Sequence, residues 1–155
     1  MNEGPRMMNN DDDACPFGVG ETFEKSLSLD APTISRFATF MGDTNPLHHD
    51  MEIARKSKFG TIISSGAQTM GLIGAMTAAI VTERCNSLGL EMNFRFRRAV
   101  LADEKLRIAL EVTSVEPKPG KGHIVTFAGT MFNERNEAAV IGVSKTLVFR
   151  DVPGA

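Results

Sequence analysis

Apolar positions recur along this chain with two different periods, and the change between them separates a front half of short helices from a back half of strands. Over 22–29, Phe23, Lys25, Leu27 and Leu29 alternate with Thr22, Glu24, Ser26 and Ser28, a period of two that predicts a strand despite the charge at Lys25. Asp30 then stands as an N-cap with Pro32 in the first turn, and Ile34, Phe37, Ala38 and Met41 fall at helical spacing, so a short amphipathic helix should follow and end at Gly42. Asp50 can cap a second short helix reaching about Ser57, with Ile53 and Ala54 inward and Arg55, Lys56 and Lys58 in water; Phe59-Gly60 closes it.

Ser65-Gly66-Ala67-Gln68 has the form of a capping box, in which Ser65 accepts from the third helical amide and Gln68 reaches back to the cap. The helix it opens should run to about Arg84. Met70, Leu72, Ile73, Met76, Ile80 and Val81 occupy all its sides with no charge before Glu83, which predicts a helix enclosed all round. Gly71, Gly74, Ala75, Ala78 and Ala79 would let other backbone come close. Beyond it the period of two returns in four strands, 88–97, 105–115, 123–133 and 138–149, joined at Ala102-Asp103-Glu104, Pro117-Lys118-Pro119-Gly120 and Asn133-Glu134-Arg135-Asn136. Short connections of this kind make an antiparallel meander. The layout is α+β, a curved antiparallel sheet wrapped around a long central helix. One domain over 17–150 is expected, between a disordered polar tail at 1–16 and a short C-terminal tail at 151–155.

Composition narrows the partners. A chain of 155 residues with 42% hydrophobic and 23% charged residues fits one soluble domain, and a formal net charge of −2 provides no general attraction to nucleic acid or to an anionic membrane. The longest uncharged apolar run, 67–82, is shorter than the roughly 20 residues of a membrane span, and the N-terminus carries Asp11, Asp12 and Asp13 where a signal peptide would be apolar. That acidic run reads as a solvated tail. Cys15 and Cys85 lie far apart with no Cys/His cluster around either, so both are expected as unpaired thiols in a reducing compartment, the cytoplasm.

The candidate chemistry sits between the helices. Asp43 and His48 flank Asn45-Pro46, which stiffens the loop, and a histidine beside a carboxylate can activate a water at neutral pH. The same two side chains would serve equally as loop anchors. At the start of the long helix, Gly66 or Ala67 keeps an N–H without an intrahelical acceptor, at the positive end of the helix dipole, suited to a carbonyl oxygen that becomes anionic; a plain helix start packed through a glycine is the alternative. Arg95, Arg97 and Arg98 form the densest basic cluster, with Arg95 and Arg97 on one strand face and Phe94 and Phe96 on the other; they could meet a nucleotide phosphate or simply face solvent. Lys56, Lys58, Lys118 and Lys121 are weaker candidates. His49 should point away from His48, which argues against a metal site, and His123 reads as a surface histidine.

The run Phe37-Ala38-Thr39-Phe40-Met41-Gly42-Asp43-Thr44-Asn45-Pro46-Leu47-His48, with Ala54 after it and then Phe59-Gly60-Thr61-Ile62-Ile63-Ser64-Ser65-Gly66, resembles the MaoC-like (R)-specific enoyl-CoA hydratases, which are hot dog folds. The resemblance covers roughly 17–150 and is carried by Gly-Asp-x-Asn-Pro-x-His. It implies hydration of a trans-2-enoyl-CoA to the (R)-3-hydroxyacyl-CoA, or the reverse dehydration, in fatty acid metabolism. Asp43 and His48 would bind and activate the water, and the Gly66 N–H would polarise the thioester carbonyl. Asn45, Ser65, Ala67, Arg95 and Arg97 would contact substrate. No metal or redox cofactor is implied, CoA being part of the substrate, and the chain would pair as a homodimer or form a higher homo-oligomer. Departures from the pattern are Ser65 where a His is common, Gly74 where a Ser is, Met41 before Gly42, and Ala99-Val100-Leu101-Ala102-Asp103 for Pro-Val-x-x-Gly-Asp. Two other activities remain open at this point: a hot dog thioesterase, disfavoured because the long helix lacks a carboxylate before Glu83, and a non-catalytic acyl-CoA-binding partner subunit, disfavoured by Asp43 and His48 together.

Overall fold

The computed structural model describes residues 14–150; the tails at 1–13 and 151–155, with the acidic run at 11–13, lie outside the described residues. Elements follow in the order β1 (Thr22–Ser28), α1 (Ala31–Phe40), a 3-10 turn (Pro46–His48), α2 (Met51–Lys56), α3 (Gly66–Thr82), β2 (Asn86–Phe96), β3 (Lys105–Lys118), β4 (Gly122–Phe132) and β5 (Ala138–Phe149). The predicted caps form: Asp30 accepts the Thr33 N–H, Asp50 those of Glu52 and Ile53, and Ser65 that of Gln68. Half of the capping box differs. The Gln68 carbonyl oxygen turns to accept from the Ser64 hydroxyl at 2.7 Å, because Ser64 is itself buried and needs an acceptor.

All five strands join one antiparallel sheet in the order β1-β3-β4-β5-β2. The expected meander therefore holds for β3, β4 and β5 only. β2 pairs with β5, and its link to β3 is a crossing: residues 97–104 carry the chain over to the β1 side, tied down by the Ala102 N–H to the Ile62 carbonyl at 2.9 Å and the Asp103 N–H to the Leu29 carbonyl at 2.7 Å. The short turn at 102–104 is thus the end of a crossover and not a hairpin.

The alternation read from the sequence sorts the strands as expected: Leu106, Ile108, Leu110 and Val112 of β3 and Val125, Phe127 and Met131 of β4 point to the core. Burying each such side chain stabilises the fold by about 1.5–3 kcal/mol. Helix α3 lies on this face with Ile73 fully buried, and Gly129 makes the close approach possible, since a Cβ there would stand 2.8 Å from the Ile73 side chain. A second cluster gathers Phe17, Val81, Val112, Val125, Phe127 and Val148, with the Phe17 and Phe127 rings edge to face at 5.7 Å. Arg84 closes it, stacked over Phe17 and bonded to Glu21 at 2.8 Å, which holds the Glu21 carboxyl below its ordinary range. Cys15 and Cys85 are free thiols packed half-buried on this second cluster, so two residues distant in sequence share one neighbourhood.

Two expectations about burial fail. Ile53 is exposed, and α2 buries Ala54 alone. Nor is α3 enclosed all round in the single chain: Ala67, Gly71, Ala75, Ala78 and Ala79 are exposed, because the sheet covers one side only. Leu88, Leu90, Met92 and Phe96 of β2 are exposed as well. Among the described residues no helix is long and apolar enough to cross a membrane.

Candidate active site

The last turn of α1 sets up the loop. The Met41 N–H bonds to the Phe37 carbonyl, and Gly42 follows at φ +73, the left-handed conformation that ends a helix cheaply in glycine. The Asp43 N–H bonds to the Ala38 carbonyl at 2.8 Å, and its Oδ1 accepts the Asn45 N–H at 3.0 Å. Asn45 in turn accepts the Leu47 N–H at 3.1 Å and caps the 3-10 turn that Pro46 opens. The Asn45 side-chain oxygen is therefore committed to backbone, as is the hydroxyl of Ser65.

His48 is buried at 5% exposure, and its Nδ1 lies 2.7 Å from the Ile63 carbonyl. A carbonyl only accepts, so Nδ1 carries a proton and the neutral ring offers Nε2 as a bare acceptor. That Nε2 is 3.4 Å from Asp43 Oδ2. Two acceptors facing one another call for a donor between them: a water giving one hydrogen to each, or a proton held by the ring as an imidazolium. Either way the pair can bind a water and move its proton.

Ile63 connects this pair to the helix start. Its N–H bonds to the Leu47 carbonyl at 3.1 Å, and its neighbour Ser64 bonds through N–H to the Val100 carbonyl at 2.8 Å. Ser65 and Gly66 come directly after, so the segment that fixes the His48 ring also fixes the start of α3. Among the described residues, the Gly66 N–H has no hydrogen-bond acceptor, while the Ser65 carbonyl behind it is taken by Thr69. Gly66 opens into a hollow of about 410 Å³ shared with Lys58, Phe59, Thr69, Phe96 and Arg97. Asp43 opens into a separate hollow of about 410 Å³ with Thr39, Pro46 and His49.

The basic cluster splits. Arg97 and Arg98 line the Gly66 hollow, although Arg98 also faces Glu137 at 3.3 Å; Arg95 does not line it. Arg95 lies within β2 and points away from Phe96, which faces α3, whereas β2 ends at Phe96 and Arg97, past the strand end, is released from that alternation. Ala67 is exposed on the outer side of α3. The Phe96 ring covers Gly66 so closely that a Cβ there would lie 3.0 Å from it, and Met92 similarly fills the space beside Gly74. These contacts, the Ile63 carbonyl and the place of Lys58 were not legible in sequence, because each joins positions from different elements. His49 turns away from His48 as expected, with the rings 6.4 Å apart at 68°.

The fold is that of a hot dog protein, in which the segment 63–66 ties His48, opposite Asp43, to the start of α3, and comparison with known proteins says which kind. The MaoC like domain family model matches residues 17–130, and the chain belongs to that family of dehydratases and hydratases. It is 30% identical over 145 residues to the uncharacterized protein YdeM of Bacillus subtilis, covering 86% of this chain and 96% of that one. To the 3-hydroxybutyryl-CoA dehydratase of Methylorubrum extorquens it is 28% identical over 101 residues, 65% of this chain and 62% of the other. The solved R-hydratase PhaJ1 of Pseudomonas aeruginosa superposes with a TM-score of 0.77 at 27% identity, covering 87% of this chain and 84% of that one.

Proposed function

We propose that this chain adds water reversibly across the double bond of a trans-2-enoyl-CoA, giving the (R)-3-hydroxyacyl-CoA. The observation that carries the reading is the opposition of His48 Nε2 and Asp43 Oδ2 at 3.4 Å, with the ring fixed from behind by Ile63. A water held between them is deprotonated as its oxygen attacks the β-carbon. Electron density moves onto the thioester oxygen, which the free Gly66 N–H stabilises as an enolate. The pair then returns a proton to the α-carbon, so the net change is one water added and no proton gained or lost. Dehydration is the same path reversed.

Binding follows from the hollow around Gly66. Arg97 and Lys58 bring positive charge suited to the phosphates of CoA, and neither has a carboxylate partner among the described ion pairs. The steps above ask for no metal or redox cofactor. A homodimer is the assembly that the bare side of α3 and the exposed apolar residues of β2 support, because together they would be a continuous apolar face in water. Free thiols suit the cytoplasm.

The test is a panel of enoyl-CoAs of increasing length, following loss of the conjugated enoyl-thioester absorbance with free thiol monitored in parallel. Absorbance should fall with no thiol released. Thiol release would replace this reading with a thioesterase, and binding without either change would make the chain a non-catalytic partner subunit.

A further inference from the structure

The proposed mechanism uses His48 and leaves its neighbour idle, yet His49 is tied into the same loop by two hydrogen bonds. Its Nε2 lies 2.6 Å from the backbone carbonyl of Asp43, and its Nδ1 lies 2.9 Å from the hydroxyl of Ser35 in α1. The Asp43 carbonyl can only accept, so Nε2 carries the proton; in the neutral ring Nδ1 is then the acceptor and Ser35 donates to it. The adjacent histidines are held in opposite tautomers. His48 keeps its proton on Nδ1, facing Ile63, and His49 keeps its proton on Nε2, facing Asp43.

We infer that His49, oriented by Ser35, is a positioning residue that clamps the Asp43 peptide and so aims the carboxylate at His48. Asp43 is held at three of its polar groups: its N–H by the Ala38 carbonyl at 2.8 Å, its Oδ1 by the Asn45 N–H at 3.0 Å, and its carbonyl by His49. The first two bonds leave the peptide following Asp43 free to rotate. Gly42 just before Asp43, at φ +73 and without a Cβ, lets the Asp43 main chain shift along with that rotation. His49 closes that freedom from a rigid base, because Ser35 sits within α1 and is half-buried, as is His49. Asp43 Oδ2 stands 3.4 Å from its partner and its side chain is 38% exposed, so burial does little to hold it in place. With its Cα displaced in this way, that oxygen would move out of reach of a shared water, and misplacement of a reacting group by about 1 Å can cost on the order of a hundredfold in rate.

This role rests on the hydratase reading, and the experiment separates the two. Enoyl-CoA hydration is measured for the wild type and for His49→Ala, His49→Gln and Ser35→Ala, together with amide hydrogen exchange of residues 43–48 and imidazole ¹⁵N spectra. His49→Ala should lower kcat about ten- to a hundredfold with KM within about twofold, and should speed exchange of the Asn45 amide. His49→Gln, which restores an N–H donor near the position of Nε2, should recover much of kcat, and Ser35→Ala should lose less than His49→Ala. The wild-type spectrum should give opposite tautomers for the two rings. Unchanged kcat and unchanged Asn45 exchange in His49→Ala would overturn the clamp, as would a neutral His49 ring with its proton on Nδ1. If the wild type hydrates no enoyl-CoA, the function fails, and exchange and tautomers still decide the clamp.

Discussion

The loop at 43–49 and the helix start at 63–66 hold their groups by opposite means. On the proposed reading the chemistry of the loop belongs to side chains, and backbone serves to aim them: Ala38, Asn45 and Ile63 all donate or accept through the main chain to fix Asp43 or His48. At the helix start the proposed chemistry belongs to a backbone N–H, and side chains shape the space around it, with Ser65 capping one amide and Phe96 covering Gly66. The first region should therefore fail when an atom is exchanged. The second should tolerate a change of identity and fail when the donor is deleted or the space is filled.

The largest effect belongs to the loop. Asp43→Asn and His48→Ala should each cut kcat for hydration by about a thousandfold, within the 10²–10⁴ range of a positioned acid or base, while thermal melting shows both variants folded. Next comes Gly66→Pro. Gly66 is the first residue of α3 and Ser65 is already extended, at φ −70 and ψ 154, so proline fits the backbone there while removing the N–H, and it is compared with Gly66→Ala in the Phe96→Ala background, where neither Cβ meets the ring. A loss of about 10²–10³ in kcat is expected, as for one oxyanion donor. Gly66→Ala keeps the donor but brings a Cβ to 3.0 Å from the Phe96 ring, so about a tenfold loss is expected, reversed in the double variant with Phe96→Ala. If Gly66→Ala proved as damaging as Gly66→Pro and Phe96→Ala gave no relief, the distinction between donor and space would collapse. The smallest effect is Ser65→Ala, which should lower stability in urea by about 1 kcal/mol through loss of the cap and leave kcat within a few-fold.

The same contrast explains what the sequence made legible. Asp43, Asn45, Pro46 and His48 form a local motif whose spacing survives any fold, and each helix cap is likewise a local bond, so these were readable. Gly66 was readable as a helix start, but Phe96 over it and Arg97 beside it depend on β2 pairing with β5, a contact between distant segments. Turn length placed β2 beside β3 wrongly, because residues 97–104 act as a crossover whose anchors, Leu29 and Ile62, lie in the front half. The all-apolar helix suggested full enclosure, whereas hydropathy records only that a face avoids water and not which chain covers it. His49 escaped because its partner Ser35 sits on another element.

On the proposed reading the water held by Asp43 and His48 adds to carbon and leaves the thioester intact. Turnover of a short trans-2-enoyl-CoA in H₂¹⁸O, followed by mass spectrometry, tests this directly. The expected result is ¹⁸O in the 3-hydroxyl of an intact acyl-CoA, absent with Asp43→Asn or His48→Ala. Label appearing instead in a released carboxylate, or in the 3-hydroxyl at the wild-type rate in both variants, would contradict it.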